Sequence, residues 1–172
     1  KLEQERTNAT QNNTELTDLE NSIKQGNKIA GLAEVTGPGM TIVLEDNDKI
    51  TSNNILLDPN NALVHDIDVI RVVNELKNAG AEAISVNGQR IVTTTAIECD
   101  GNVITVNGVK IGTPFVIQAI GLPEQLNGLN RYGGYLMNLQ ENYGIKVTTK
   151  KEEEITIPKY SGVIKFEYAE SK

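Results

Sequence analysis

At 172 residues, 38% hydrophobic and without Trp, the chain is long enough for one domain with an aliphatic core plus an appendage. A formal net charge of −7 and 16 scattered Lys and Arg exclude broad electrostatic capture of nucleic acid, which needs clustered cations to displace counterions from phosphates. The single cysteine, Cys99, excludes an intramolecular disulfide and a cysteine-based zinc cluster, and no apolar run reaches the ~20 residues a membrane helix requires.

Residues 1–28 are polar, with Leu2, Ala9, Leu16 and Ile23 spaced seven apart. With Leu19 as a companion and Asn12, Asn13 and Thr14 interrupting, that seam predicts a polar helix or weak coiled coil; a solvated linker is the alternative. Composition shifts at Ile29, so a globular domain is placed over 29–172. It begins with a short strand, a Gly37-Pro38-Gly39 turn, and a strand over 40–45 in which Ile42 and Leu44 alternate with polar or outward positions. The glycines lack the spacing and Lys-Ser/Thr ending of a phosphate loop. Residues 46–64 read as a long connection rich in Asn and Asp, without the offsets of a calcium loop.

A helix over 66–79 follows from Ile67, Ile70, Val73 and Leu76, with Val69, Val72 and Ala79 beside them. Asp66 is the expected N-cap, Asp68 suits the positive first turn, and Gly80 ends the helix. His65, the only histidine, lies beside both acids. Capping accounts for that acidic start, and two residues apart on a helix Asp66 and Asp68 face differently, so no metal site is expected. A strand over 82–87 leads into an Asn87-Gly88 hairpin turn, and Asp100-Gly101 and Asn107-Gly108 extend this to a meander of short strands. Cys99, with no histidine near it in sequence, is expected on a strand as a buried or edge thiol rather than a nucleophile.

Residues 114–120 read as a central strand opened by Pro114, then 122–142 as two short helices or one kinked at Gly133-Gly134. A strand over 145–149, a solvated KKEEE turn, a strand over 154–157 and an extended tail or short strand over 163–168 complete the chain. β-α-β thus occurs twice. The economical fold is α+β: a two-layer sandwich with a split βαβ pattern of ferredoxin-like type, an inserted β-hairpin region and an N-terminal helical segment. A doubly wound three-layer fold is the alternative.

The segments GPGMTIVLED, VHDIDVIRVVNELKNAGAEAISVNGQRI, PFVIQAIG and IPKY resemble, in order and spacing, a bacterial family of uncharacterised proteins with YlxW-like and YlxX-like members, known as DUF881. The resemblance covers about Gly31 to Tyr160, and AGAEAISVNGQRI carries it most specifically. It implies an N-terminal membrane helix upstream of Lys1, a coiled-coil stretch and then this domain outside the cytoplasmic membrane, with genes often near cell-division or envelope genes. It brings no activity, no catalytic residue and no cofactor. Two functions of different class follow. One is a non-catalytic interaction module with a protein partner at the cell envelope and a homodimer through the N-terminal segment. The other is a small-ligand site, enzymatic or not, around Glu82, Asn87, Gln89 and Arg90, where Arg90 would hold a carboxylate or phosphate unless it pairs internally with Glu82 or Asp68. His65, Asp66, Asp68 and Asn74 are the remaining polar candidates.

Overall fold

The computed structural model describes residues 2–3, 14–47 and 62–170. Helix α1 spans Thr14–Ile29 and leaves Leu16, Leu19 and Ile23 exposed along it. Ala9, Asn12 and Asn13 of the heptad seam lie outside the described residues, as does most of the 46–64 connection. Strand β1 is Val35–Glu45, helix α2 Asp66–Asn78, β2 Ala83–Val86, β3 Gln89–Arg90, β4 Ile97–Asp100, β5 Val103–Val106, β6 Val109–Ile111 and β7 Phe115–Ile120. Helix α3 (Pro123–Leu126), a 3-10 turn (Asn127–Asn130), α4 (Tyr135–Tyr143) and β8 (Lys146–Ile157) follow. The fold is mixed α and β with two antiparallel sheets: five strands in the order β3-β2-β7-β1-β8, and the meander β4-β5-β6.

One face of the larger sheet carries the core. Met40, Ile42 and Leu44 stand opposite Ala119, Ile117 and Phe115, and Ile84 and Val86 opposite Ala119 and Ile117, so alternation on three strands delivers one apolar layer. Val69, Val72, Val73 and Leu76 of α2 and Leu136 and Leu139 of α4 close over that layer, joined by Ile104, Val106 and Ile111 of the meander. Both helices therefore cover the same face. Among the described residues no helix is long and apolar enough to cross a membrane.

Three local expectations change. The Gly37-Pro38-Gly39 turn is instead a bulge inside a continuous β1, where pairing with β8 shifts register between Gly37 and Gly39. Glycine is required there by close approach: a Cβ on Gly39 would lie 1.9 Å from the carbonyl oxygen of Ala119. The KKEEE stretch is not a turn; 12 residues run unbroken as β8, an edge strand whose charges discourage pairing with another chain. The buried face of α2 is rotated from the expected one, leaving Ile67 exposed and bringing Asp68 inward. Of the two alternatives for 163–168, the segment takes the tail: it forms no strand, and Val163, Phe166 and Tyr168 are exposed.

Candidate functional site

A groove of about 610 Å³ lies at the β3 edge of the larger sheet. Its wall includes Ile70 and Val73 of α2, Ile84 of β2, and Ile91, Val92 and Ile97 of the following loop and strand. Ile29, Ala30 and Gly31, where α1 ends, close one side, and Asn74, Lys77, Glu82, Thr93 and Thr95 supply polar groups. The loop is held in place because Thr95 Oγ1 accepts from the Val92 amide at 2.9 Å and Asn107 Nδ2 donates to the Arg90 carbonyl at 3.0 Å.

Three of the residues singled out in sequence, Glu82, Asn74 and Arg90, line this groove. Arg90 is only 4% exposed, however, and its Nη1 donates to the carbonyl oxygens of Ala33 at 3.1 Å and Pro158 at 3.3 Å. The expected internal pairing with Glu82 or Asp68 is thus replaced by carbonyl contacts on the segments that enter and leave the sheet. Both bonds come from one guanidinium nitrogen, whose two N–H groups meet the two acceptors. Burial pulls the guanidinium pKa below its ordinary value, yet it stays charged. Gln89 is half-buried on β3 and does not line the groove. Asn87 works in its turn: it adopts φ 45°, its Nδ2 donates to the Pro114 carbonyl at 3.0 Å, and its Oδ1 accepts from the Val116 amide at 2.9 Å.

His65, Asp66 and Asp68 lie at the other end of α2. His65, not Asp66, is the N-cap, and its amide donates to Asp68 Oδ2 at 2.7 Å. Asp66 turns outward: its Oδ1 accepts from the Ile67 amide at 2.7 Å and its Oδ2 from the Cys99 amide at 3.1 Å. Partial burial works against ionisation there, but the Cys99 and Ile67 donors prevail and hold the Asp66 pKa below the usual carboxylate value. Cys99 is a free, exposed thiol on β4 whose pKa is raised by desolvation and by the carboxylates of Asp66 and Asp68. That makes it a poor nucleophile at neutral pH.

Asp68 is 8% exposed and accepts the Tyr135 hydroxyl of α4 at 2.5 Å on Oδ1. Arg71, one turn along α2, sits over the Tyr135 ring with its guanidinium carbon 5.0 Å from the centroid. Burial, then the Asp68 carboxylate, pushes the Tyr135 pKa well above its ordinary value. These groups border a pocket of about 220 Å³ shared with His65, Asn138 and Tyr143. Sequence reasoning missed Arg71, Tyr135, Asn138 and Tyr143. Asp68 and Arg71 are three apart and so share a helix side, which was a usable signal; their meeting with Tyr135, 67 residues away, was not. Among the described residues no group of three or more His, Cys, Asp and Glu is placed to hold a metal ion.

Comparison with known proteins places these features in a family. The family described as "Bacterial protein of unknown function (DUF881)" matches residues 22–170. UPF0749 protein YlxW of Bacillus subtilis (strain 168) is 38% identical over 126 residues, 73% of this chain and 53% of that protein. UPF0749 protein Rv1823 of Mycobacterium tuberculosis (strain ATCC 25618 / H37Rv) is 29% identical over 136 residues, 75% of this chain and 44% of its own. UPF0749 protein YlxX of Bacillus subtilis (strain 168) is 26% identical over 156 residues, 88% of this chain and 63% of its own. The chain spans about half the length of the first of these relatives, 53%. A crystal structure of an uncharacterized conserved protein from Mycobacterium tuberculosis superposes with a TM-score of 0.68 at 24% identity, covering 88% of this chain and 99% of the other, a likeness of fold. The chain belongs to the DUF881 family of bacterial proteins.

Proposed function

We propose that this chain is the extracytoplasmic, non-catalytic interaction domain of a membrane-anchored envelope protein, with α1 spacing it from an anchor upstream and the groove at the β3 edge receiving a segment of a partner protein. The observation that carries this reading is the groove itself, a concavity at a sheet edge lined by apolar Ile70, Val73, Ile84 and Ile97 together with polar Asn74, Lys77 and Glu82. The exposed Leu16, Leu19 and Ile23 support pairing of α1 with a second copy as a short coil. The anchor and a role near division or envelope machinery rest on the family resemblance. The strand order β2-β7-β1-β8, with α2 and α4 on one face, supports a ferredoxin-like core into which β3 to β6 are inserted.

A photo-reactive residue at Thr93, on the groove, should capture one discrete envelope protein. The same residue at Glu153, on the opposite sheet edge, should not, and Ile70→Glu should diminish the capture from Thr93. Equal capture from both positions, or cross-links only between copies of this chain, would contradict the reading. A small-ligand site at Glu82, Gln89 and Arg90 is the second reading, supported by Glu82 and Arg90 sharing the groove; Arg90's carbonyl partners and Gln89's place outside it weigh against it.

A further inference from the structure

We infer that the pocket between the first turns of α2 and helix α4 is a binding site for a small oxyanion, a carboxylate or phosphate group, gripped by Arg71. The site is separate from the groove at the β3 edge and shares no residue with it. Its volume of about 220 Å³ suits one such group and a few attached atoms rather than a cofactor.

Three observations converge on an anion. Arg71 lines the pocket and makes no ion pair with any carboxylate among the described residues; its guanidinium sits over the ring of Tyr135 and hydrogen-bonds that side chain, and a guanidinium carries five N–H donors, so others remain to meet a ligand. Asn138 also lines the pocket, and its side-chain amide makes no hydrogen bond among the described residues, so a second donor is at hand. Among the described residues Asp68 is the single acid bordering the pocket, and its two oxygens already accept from the Tyr135 hydroxyl and the His65 amide. Its carboxylate therefore holds the ring on which Arg71 rests. The uncommitted groups are donors, with Arg71 carrying the charge, and charge-assisted bonds from a guanidinium to an oxyanion are the strongest such a set can make.

The competing explanation is that Arg71 and Tyr135 are no more than a surface stack. Titration of the intact chain with inorganic phosphate and with acetate, followed by side-chain NMR of the arginine Nε–H groups, separates the two. The expected result is a saturable shift of one arginine, weakened roughly tenfold or more in Arg71→Leu, partly kept in Arg71→Lys, and unchanged in Arg131→Leu, whose arginine already pairs with Glu75. Co-sedimentation with phosphatidylglycerol vesicles then tells the sources apart. Association lost with Arg71→Leu assigns a lipid phosphate, and no association despite binding of the free anions assigns a soluble ligand. The inference is overturned if neither anion nor vesicle gives a saturable response, if Arg71→Leu responds as the parent does, or if Arg131→Leu loses as much.

Discussion

Asp66 and Cys99 bond to each other twice: the Asp66 amide donates to Cys99 Sγ at 3.3 Å, and the Cys99 amide donates to Asp66 Oδ2 at 3.1 Å. This pair staples the first turn of α2 to the edge strand of the meander. Asp66→Ala removes the carboxylate side of it and should lower unfolding stability by about 1 kcal/mol, measured by urea denaturation. The pH dependence has a definite sign. Because the folded pKa lies below the ordinary 3.8, the carboxylate's contribution is present above that value and is lost as pH falls through the folded pKa. Asp66→Ala should therefore flatten the acid limb of the stability curve.

The same pair governs thiol reactivity. Desolvation first, and then the Asp66 and Asp68 carboxylates, hold the Cys99 pKa above its usual value, so alkylation at neutral pH should be slower than for a free cysteine despite exposure. Asp66→Asn removes one of the nearby negative charges and should accelerate the reaction, with the midpoint of the rate against pH moving downward. An unchanged profile would show that the carboxylate does not control the thiol.

Arg90→Ala leaves the Ala33 and Pro158 carbonyls without their shared donor and empties a buried position. Stability should drop by about 2–3 kcal/mol, read as a lowered urea midpoint at constant slope. A melting temperature that hardly moves would instead return Arg90 to the ligand-binding role.

Gly39→Ala places a methyl group within 1.9 Å of the Ala119 carbonyl oxygen, at the end of the β1–β7 pairing where Gly39 faces Ile120. Backbone cannot yield as a flexible side-chain end can, so the variant should lose roughly 3 kcal/mol or more or accumulate insoluble.

Tyr135→Phe removes the hydroxyl that Asp68 accepts and should cost about 1–2 kcal/mol at neutral pH. Since the folded pKa is raised, that contribution is complete below the ordinary 10.0 and disappears only as pH rises through the higher folded value. Ultraviolet titration of the parent against the variant should show the differing tyrosine still protonated above pH 10.

The chain announces its elements wherever local chemistry decides them. Asn87 and Asn107 take positive φ with their following glycines, as Asn-Gly hairpin turns demand, and the apolar run after Pro114 lies centrally, two strands in from either edge. It is less forthcoming where tertiary approach decides. Gly37-Pro38-Gly39 has the composition of a turn, and only its pairing with β8 makes it a bulge; KKEEE has the composition of a loop, and only its β1 partner keeps it extended. The candidate sites divide the same way. Glu82, Asn74 and Arg90 share the groove because α2 and β2 adjoin in sequence, whereas Asp68, Arg71 and Tyr135 meet only once α4 docks.

Arg90 joins Ala33 to Pro158, and nearby the Tyr160 amide donates to the Gly31 carbonyl at 2.8 Å, so the two ends of the globular unit leave from one corner. Val35 faces Ile157 across the β1–β8 ladder at that corner. Tension applied between α1 and the tail would load this ladder from its last rung, peeling bonds singly rather than shearing them together. Pulled that way, the Tyr160–Gly31 bond would open first, the Arg90 clasp next, and the ladder after it.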